Sequence, residues 1–251
     1  MNPAPAIQVR DLVAKYDDNL ILDRISFDVR HGEIFVILGA SGCGKSTLLR
    51  HLVGLNKPFS GGIIVNGVDI VACDETRFRD CLKNVGILFQ SSALFGSMTV
   101  AENLALPITE YTDLPPEAID DLVGMKLCMV GLEGFEDYFP SQISGGMKKR
   151  AGFARAMALN PEILFLDEPT SGLDPVSSAE IDELILSINQ SMGATIVIVT
   201  HSLSSIFRVA GRVVMLDKHT RKIIAEGDPK YLKEHSDNPE VRRFFNSEAS
   251  T

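Results

Sequence analysis

The chain has 251 residues, with 24 Lys and Arg against 33 Asp and Glu and a formal net charge of −9. That length holds one sizeable core, or a core plus a smaller subdomain, and the acidic balance argues against a nucleic-acid surface, since such binding draws its affinity from clustered Lys and Arg. Cys43, Cys73, Cys81 and Cys128 form no CxxC pair and have no His at zinc spacing, so they read as reduced thiols of a cytosolic protein and indicate no metal cluster.

The first residues, MNPAPAIQVRDLVAKYD, carry charges where a signal peptide needs an apolar core, and nowhere do 18 apolar residues run together. The chain is therefore expected not to span a membrane alone. No internal repeat or Gly/Ser/Pro-rich linker divides it, so one domain over 1–251 is expected.

In chain order, Ile7 to Lys15 alternates as a strand that leads to Tyr16, and Asn19 to Arg30 reads as another strand with a turn. The Tyr16 ring, ahead of a nucleotide loop, either stacks on a base, a contact of about 1–3 kcal/mol, or simply packs. Glu33 to Leu38 reads as a buried strand and Thr47 to Val53 as a helix. Between them Gly39-Ala40-Ser41-Gly42-Cys43-Gly44-Lys45-Ser46 fits the phosphate-loop pattern of Gly, four residues, Gly, Lys and a hydroxyl residue. Glycines there let successive backbone N–H groups turn toward one anion, and the helix dipole adds partial positive charge. ATP or GTP is the expected ligand, cradled by Gly39, Ser41, Gly42, Cys43, Gly44, Lys45, Ser46 and Thr47. Lys45 is expected to reach the terminal phosphates, Ser46 to be a magnesium ligand and Thr47 to add a phosphate contact. Cys43 fills a free position of the pattern and needs no role of its own.

Gly61 to Val71 has short apolar runs around Asn66-Gly67, a strong hairpin signal, and predicts an antiparallel sheet beside the nucleotide core. Asn84 to Phe89 is a further buried strand ending at Gln90, whose amide suits magnesium or an attacking water. From Ser91 to about Ala158 helical spacing takes over, in Val100 to Leu106 and Pro116 to Val130, broken by Pro107, Pro115, Pro116 and Gly131. The division expected is a nucleotide-binding core of 1–90 and 159–251 with a helical subdomain, 91–158, inserted between. Near its end Ser144-Gly145-Gly146 precedes a helix from Met147 to Leu159. That loop suits a second anion site, although taken alone a helix cap is the leading reading.

Glu162 to Leu166 is a short apolar strand ending in Asp167-Glu168, which puts two carboxylates beside the loop lysine: the first for magnesium through water, the second to polarise an attacking water. Pro169 to Pro175 is a turn-rich loop holding Asp174. Thr195 to Thr200 is expected to be the last core strand, and it ends in His201, positioned for a γ-phosphate contact. His31, His51, His219 and His235 fall in turns or on helix faces and read as structural.

Tyr16, the phosphate loop, Gln90, Ser144-Gly145-Gly146, Asp167-Glu168, Ser171-Gly172-Leu173-Asp174 and His201 together resemble the full motif set of an ATP-binding cassette (ABC) transporter ATPase, from about Ile7 to Phe245. The resemblance implies an α/β fold: a P-loop NTPase core of mostly parallel sheet with flanking helices, an antiparallel β subdomain and an inserted α-helical subdomain. It implies ATP and Mg2+, with Lys45, Gln90, Glu168 and His201 as catalytic residues and Ser46, Gln90 and Asp167 around the metal. It also implies a head-to-tail homodimer in which Ser144, Gly145 and Gly146 of one copy close over the ATP held by the other, with Asp174 as a further nucleotide-binding residue.

A narrower resemblance rests on Leu88 to Val100 (LFQSSALFGSMTV), Ile143 to Met147 and Asn238 to Phe245. These are similar to the ATPase subunit of MCE-type (Mla-like) phospholipid transport systems, which maintain outer-membrane lipid asymmetry. That likeness implies an integral-membrane permease contacting Leu94, Phe95 and Met98, an MCE-domain lipid-binding subunit, a small accessory subunit, and a cytoplasmic location on the inner face of the cytoplasmic membrane. Importers of other cargo, such as an amino acid or a metal, share the broader motif set. Soluble cassette ATPases acting on ribosomes or DNA usually pair two cassettes or insert a coiled coil, and neither feature occurs here. A non-hydrolysing regulator is disfavoured by Glu168 and His201. Three positions depart from the general pattern: Met147 for Gln, Ile143 for Leu, and Ser202 where Asp often follows the histidine. Ending at Thr251, the chain is shorter than relatives whose tails embrace the partner, so the sequence leaves tail-mediated dimer contacts open.

Overall fold

The computed structural model describes residues 4–246. Its first two strands, β1 (Ile7–Tyr16) and β2 (Asn19–Val29), form an antiparallel pair, after which β3 (Ile34–Leu38) enters a second sheet and leads through the phosphate loop into α1 (Lys45–Leu52). β4 (Ser60–Val65) and β5 (Val68–Asp69) return to the first sheet. Asn66 and Gly67 between them have φ of 47° and 79°, the positive pair that a two-residue hairpin turn needs.

Next come α2 (Glu75–Lys83), β6 (Val85–Leu88) and three longer helices, α3 (Val100–Tyr111), α4 (Pro116–Met129) and α5 (Gly145–Ala156), which lie within 91–158. The core resumes with β7 (Ile163–Asp167), α6 (Pro175–Met192), β8 (Thr195–Val199) and α7 (Leu203–Val209). β9 (Arg212–Leu216), β10 (Ile223–Gly227), α8 (Pro229–His235) and α9 (Pro239–Phe245) complete it.

The first sheet runs β2-β1-β4-β5 and is antiparallel; the second runs β10-β9-β3-β8-β7-β6 and is parallel except for β10. Every residue of β3, β7 and β8 is buried, as a parallel sheet covered on both faces requires. Alternate side chains therefore serve two cores. Val36, Leu38, Leu164, Leu166, Ile196 and Ile198 face the helices, while Phe35, Ile37, Ile163, Phe165, Val197 and Val199 face α1 and the antiparallel sheet.

Three sequence expectations change. Thr195 to Thr200 is not the last core strand, because β9 pairs with β3 and β10 closes the edge. Pro107 does not break its helix, which runs on to Tyr111. Val100, Leu104 and Ile108 are buried on one face of α3, and such burial, about 1.5–3 kcal/mol per large side chain, offsets the roughly 3 kcal/mol cost of an interior proline. A Thr99–Glu102 capping box fixes the start of the same helix. Finally, α5 begins at Gly145 rather than Met147, since Ser144 is its N-cap and accepts from the Met147 N–H at 3.2 Å.

Asp182 on α6 is 3% exposed, and its Oδ1 has no hydrogen-bond partner. Burial pushes this carboxyl above the usual range, against the opposing pull of the Ser205 hydroxyl and the Arg208 cation. A carboxyl whose folded pKa is raised contributes most below its unfolded pKa and loses that contribution as pH rises through the folded value. Asp182→Asn is therefore expected to gain stability relative to the parent as pH is raised from about 4 toward 7. Urea unfolding at both pH values checks this; a difference that is constant or shrinks would contradict it.

Candidate functional site

Four parallel strands end around one cleft. β3 ends at the phosphate loop, β6 just before Gln90, β7 at Asp167 with Glu168 next in line, and β8 two residues before His201. Ligands of α/β sheets sit outside the carboxyl ends of the strands, at such convergences. The cleft encloses about 650 Å³, with walls from Gly39, Ser41, Gly42, Gly44, Lys45, Ser46, Thr47, Gln90, Glu168 and His201 and an apolar margin from Ile21 and Phe244.

The loop's shape depends on glycine at its two ends. Gly39 has φ 146°, and a Cβ there would lie 2.4 Å from the Leu216 carbonyl oxygen; Gly44 has φ 101°, and a Cβ there would lie 2.9 Å from Leu22 Cδ2. Gly44 is also the N-cap of α1 and supplies no side-chain acceptor, so the first N–H groups of that helix remain available to an anion. Lys45 is buried, and its Nζ donates to the Gly39 and Ala40 carbonyls at 2.8 and 3.2 Å. Cys43 sits apart from the cleft wall: its thiol is buried in the core, which pushes its pKa up, and its backbone N–H is engaged by the Ala40 carbonyl.

Ser46 Oγ donates to Asp167 Oδ1 at 3.2 Å. Asp167 is 9% exposed, and burial raises its carboxyl pKa despite that hydrogen bond and the Arg50 and Lys149 cations nearby. A buried carboxylate beside a hydroxyl, with Gln90 lining the same cleft as that hydroxyl, supplies oxygen donors of the kind Mg2+ takes. Glu168 is buried in left-handed backbone, φ 48°; its Oε1 lies 2.7 Å from His201 Nδ1, and its Oε2 accepts from Thr200 Oγ1 at 3.3 Å.

Other predicted residues lie outside this cleft. Tyr16 ends β1, is 44% exposed, and accepts from Asn56 Nδ2 at 3.0 Å. Ser144 and Gly145 are exposed at the start of α5, and exposed Asp174 caps α6 through the Val176 and Ser177 N–H groups, both at 3.0 Å. The two loops adjoin, since a Cβ on Gly146 would lie 3.8 Å from Ser177 Oγ. Met147 is half-buried and packs on the core, and Ser202 caps α7 through the Ser205 N–H at 3.4 Å.

A second, more apolar groove of about 620 Å³ runs between β6, α3 and α5, lined by Val85, Phe89, Phe95, Leu106, Pro107, Tyr111, Arg155 and Leu159. Phe95 is half exposed there, whereas Leu94 packs against the core and neither Leu94 nor Met98 reaches the groove wall. Two residues at the main site were not anticipated. Phe244 of α9 closes the cleft from far along the chain. Lys149 of α5 is 6% exposed and donates to the Gln90 carbonyl at 2.5 Å and the Glu168 carbonyl at 3.0 Å. Its signal was its helical spacing with Gly145, Gly152 and Ala156 on one face.

A family profile described as ABC transporter matches residues 22–171, from β2 through the phosphate loop to the turn after Glu168. The chain belongs to the ABC transporter family. Its fold is that of the ATPase of such a transporter, and ATP is its nucleotide. This ABC ATPase is 43% identical over 241 residues to the probable ribonucleotide transport ATP-binding protein mkl of Mycobacterium leprae, covering 96% of this chain and 69% of that one. It is 39% identical over 243 residues to the intermembrane phospholipid transport system ATP-binding protein MlaF of Escherichia coli, covering 96% of this chain and 89% of that one. Among solved structures, the dimeric ATP-binding cassette MJ0796 in a post-hydrolysis state with ADP and Pi superposes with a TM-score of 0.81 at 28% identity, over 88% of this chain and 98% of that one. No helix among the described residues of the ABC ATPase is long and apolar enough to cross a membrane.

Charge-assisted hydrogen bonds contribute about 1.5–3 kcal/mol, a factor of about ten or more in affinity. Lys45→Ala is accordingly expected to weaken MgATP binding at least about tenfold with little change in thermal unfolding, as read by equilibrium dialysis. Binding within twofold of the parent would contradict the assignment of Lys45 to the phosphates.

Proposed function

We propose that the chain hydrolyses MgATP at a head-to-tail interface between two copies and thereby drives phospholipid transport by an MCE-type (Mla-like) envelope system. The observation that carries the cargo is the likeness to MlaF, which spans 89% of that protein, whereas the mycobacterial relative is matched over 69% of its length. The name of that mycobacterial relative makes a ribonucleotide cargo the second reading, and its identity to this chain is the higher of the two.

In this reading the amides of Ser41, Gly42, Gly44, Lys45 and Ser46, with Thr47, hold the phosphates, the Cys43 amide being engaged by Ala40, and Lys45 turns from the Gly39 and Ala40 carbonyls to the terminal ones. Ser46, Asp167 and Gln90 would hold Mg2+, which when bound neutralises charge on the phosphate oxygens. Glu168 polarises the attacking water and accepts its proton. His201, now 2.7 Å from Glu168, exchanges that contact for a γ-phosphate oxygen and so releases the carboxylate toward water. Tyr16, fixed by Asn56, offers its exposed ring to the adenine.

The Ser144-Gly145-Gly146 and Asp174 loops, exposed at Ser144, Gly145 and Asp174, adjoin each other but do not line the chain's own cleft, which supports their serving the nucleotide of a second copy. Moving such a pair from 1:99 closed to 99:1 takes about 5.5 kcal/mol of differential binding, within reach of a shared triphosphate. Hydrolysis removes it. The likeness to a cassette described as dimeric points the same way.

Exposing a phospholipid's roughly 30 chain methylenes would cost on the order of 25 kcal/mol. A permease must shield those chains, and the apolar groove around Phe95 is the proposed seat for one of its cytoplasmic helices. An MCE-domain subunit and a small accessory subunit complete the assembly, with the ATPase on the inner face of the cytoplasmic membrane.

Glu168→Gln is expected to retain MgATP binding and lose turnover by about 100-fold or more, and Ser144→Arg to do likewise; loss of binding in step with turnover in Ser144→Arg would contradict the two-copy site. Affinity purification from the native membrane tests the cargo. A permease and an MCE-domain protein with bound phospholipid are expected, Phe95→Asp should release them, and recovery of a nucleotide-binding partner instead would favour the second reading.

A further inference from the structure

The backbone around the water-polarising residue is bent at three places where glycine is absent. Glu168 has φ 48°, and Ser92 and Ala93, just past Gln90, have φ of 63° and 49°. Such conformations persist only where the surroundings hold them. Here one face of α5 does so. Lys149 Nζ donates to the Gln90 and Glu168 carbonyls at 2.5 and 3.0 Å, and Arg155 donates to the Ser92 and Ala93 carbonyls at 2.9 and 2.8 Å. Gly152 lets the helix approach closely, for a Cβ there would lie 2.8 Å from Leu88 Cδ1 and 3.0 Å from Ser92 Cβ.

The same helix starts at the Ser144 N-cap, so its exposed end is the loop assigned to the partner's nucleotide. We propose that Lys149 is a positioning residue that locks the Gln90 and Glu168 turns of one chain to its own Ser144-Gly145-Gly146 loop, so that each site's catalytic geometry is transmitted to the site on the other copy. This inference rests on the two-copy reading above. A buried ammonium suits that role because it has three N–H donors and no acceptor, and so satisfies two carbonyls from different strand ends at once. Asp167 and Glu168 offer it opposite charge, which partly counters the lowering of its pKa by burial. Displacement of α5 by a bound partner nucleotide carries both carbonyls with it.

The test compares Lys149→Met and Lys149→Gln in the full chain, within the assembly recovered from its membrane. Met keeps the length and removes the donors; Gln keeps one nitrogen with two N–H groups. Lys149→Met is expected to lose at least tenfold in kcat while MgATP affinity stays within twofold, and Lys149→Gln to recover much of that loss. Hydrogen exchange adds a readout that a packing role alone would not move: ATP should protect residues 90–93 and 144–148 together in the parent and only 90–93 in Lys149→Met. Turnover of Lys149→Met within twofold of the parent, or loss of ATP binding in parallel with turnover in both variants, overturns the proposal. Should Lys149→Met not fold, coupled protection and parent-like kcat in Lys149→Gln support it, and uncoupled protection in Lys149→Gln overturns it. Failure of the two-copy reading is separately visible, as parent turnover untouched by Ser144→Arg.

Discussion

The phosphate loop is a backbone shape before it is a set of side chains. Gly39 and Gly44 occupy conformations and close approaches that a Cβ would not survive, and α1 begins without a side-chain cap. The rest of the molecule serves that geometry. A parallel sheet buried on both faces fixes where β3, β7 and β8 end, and the two cores on either side leave those ends no freedom to drift. The antiparallel sheet, resting on α1 and one face, keeps Ile21 and Leu22 against the loop, while the helices on the other face bring α5 onto Gln90 and Glu168.

Charge then decides what the cleft holds. Lys45, Lys149, Asp167 and Glu168 are all less than a tenth exposed, an arrangement whose desolvation cost is recovered only through close pairing. Each has its partners: Lys45 and Lys149 the backbone carbonyls, Asp167 the Ser46 hydroxyl, and Glu168 Thr200 and His201. In the proposed reading Lys45 and His201 exchange their present partners for phosphate oxygens, so that the same charges stabilise the site and respond to a triphosphate.

How much of this was legible in the sequence follows from locality. The loop from Gly39 to Ser46, the Asp167-Glu168 pair and His201 are contiguous signals at strand ends, and the structure brings them to one cleft. Asn66-Gly67 carried its hairpin by turn chemistry alone. Lys149 was hidden because it sits in the basic run Lys148-Lys149-Arg150, which by composition reads as a solvated face, and only packing of α5 on β6 buries it. Phe244 reaches the cleft through the fold of the C-terminal helices, a relation no local pattern encodes. Pro107 shows the opposite case, in which a strong local signal yields to burial of Leu104 and Ile108. Of the three apolar residues expected together after Gln90, Phe95 lines the groove, whereas Leu94 and Met98 turn elsewhere because that stretch is irregular and has no period to read.

The central claim, that two copies share each triphosphate, is tested most directly by a structure of the Glu168→Gln variant with ATP and Mg2+. The account predicts two chains head to tail, with each γ-phosphate between Lys45 of one and Ser144 of the other. A nucleotide covered by residues of its own chain alone would contradict it.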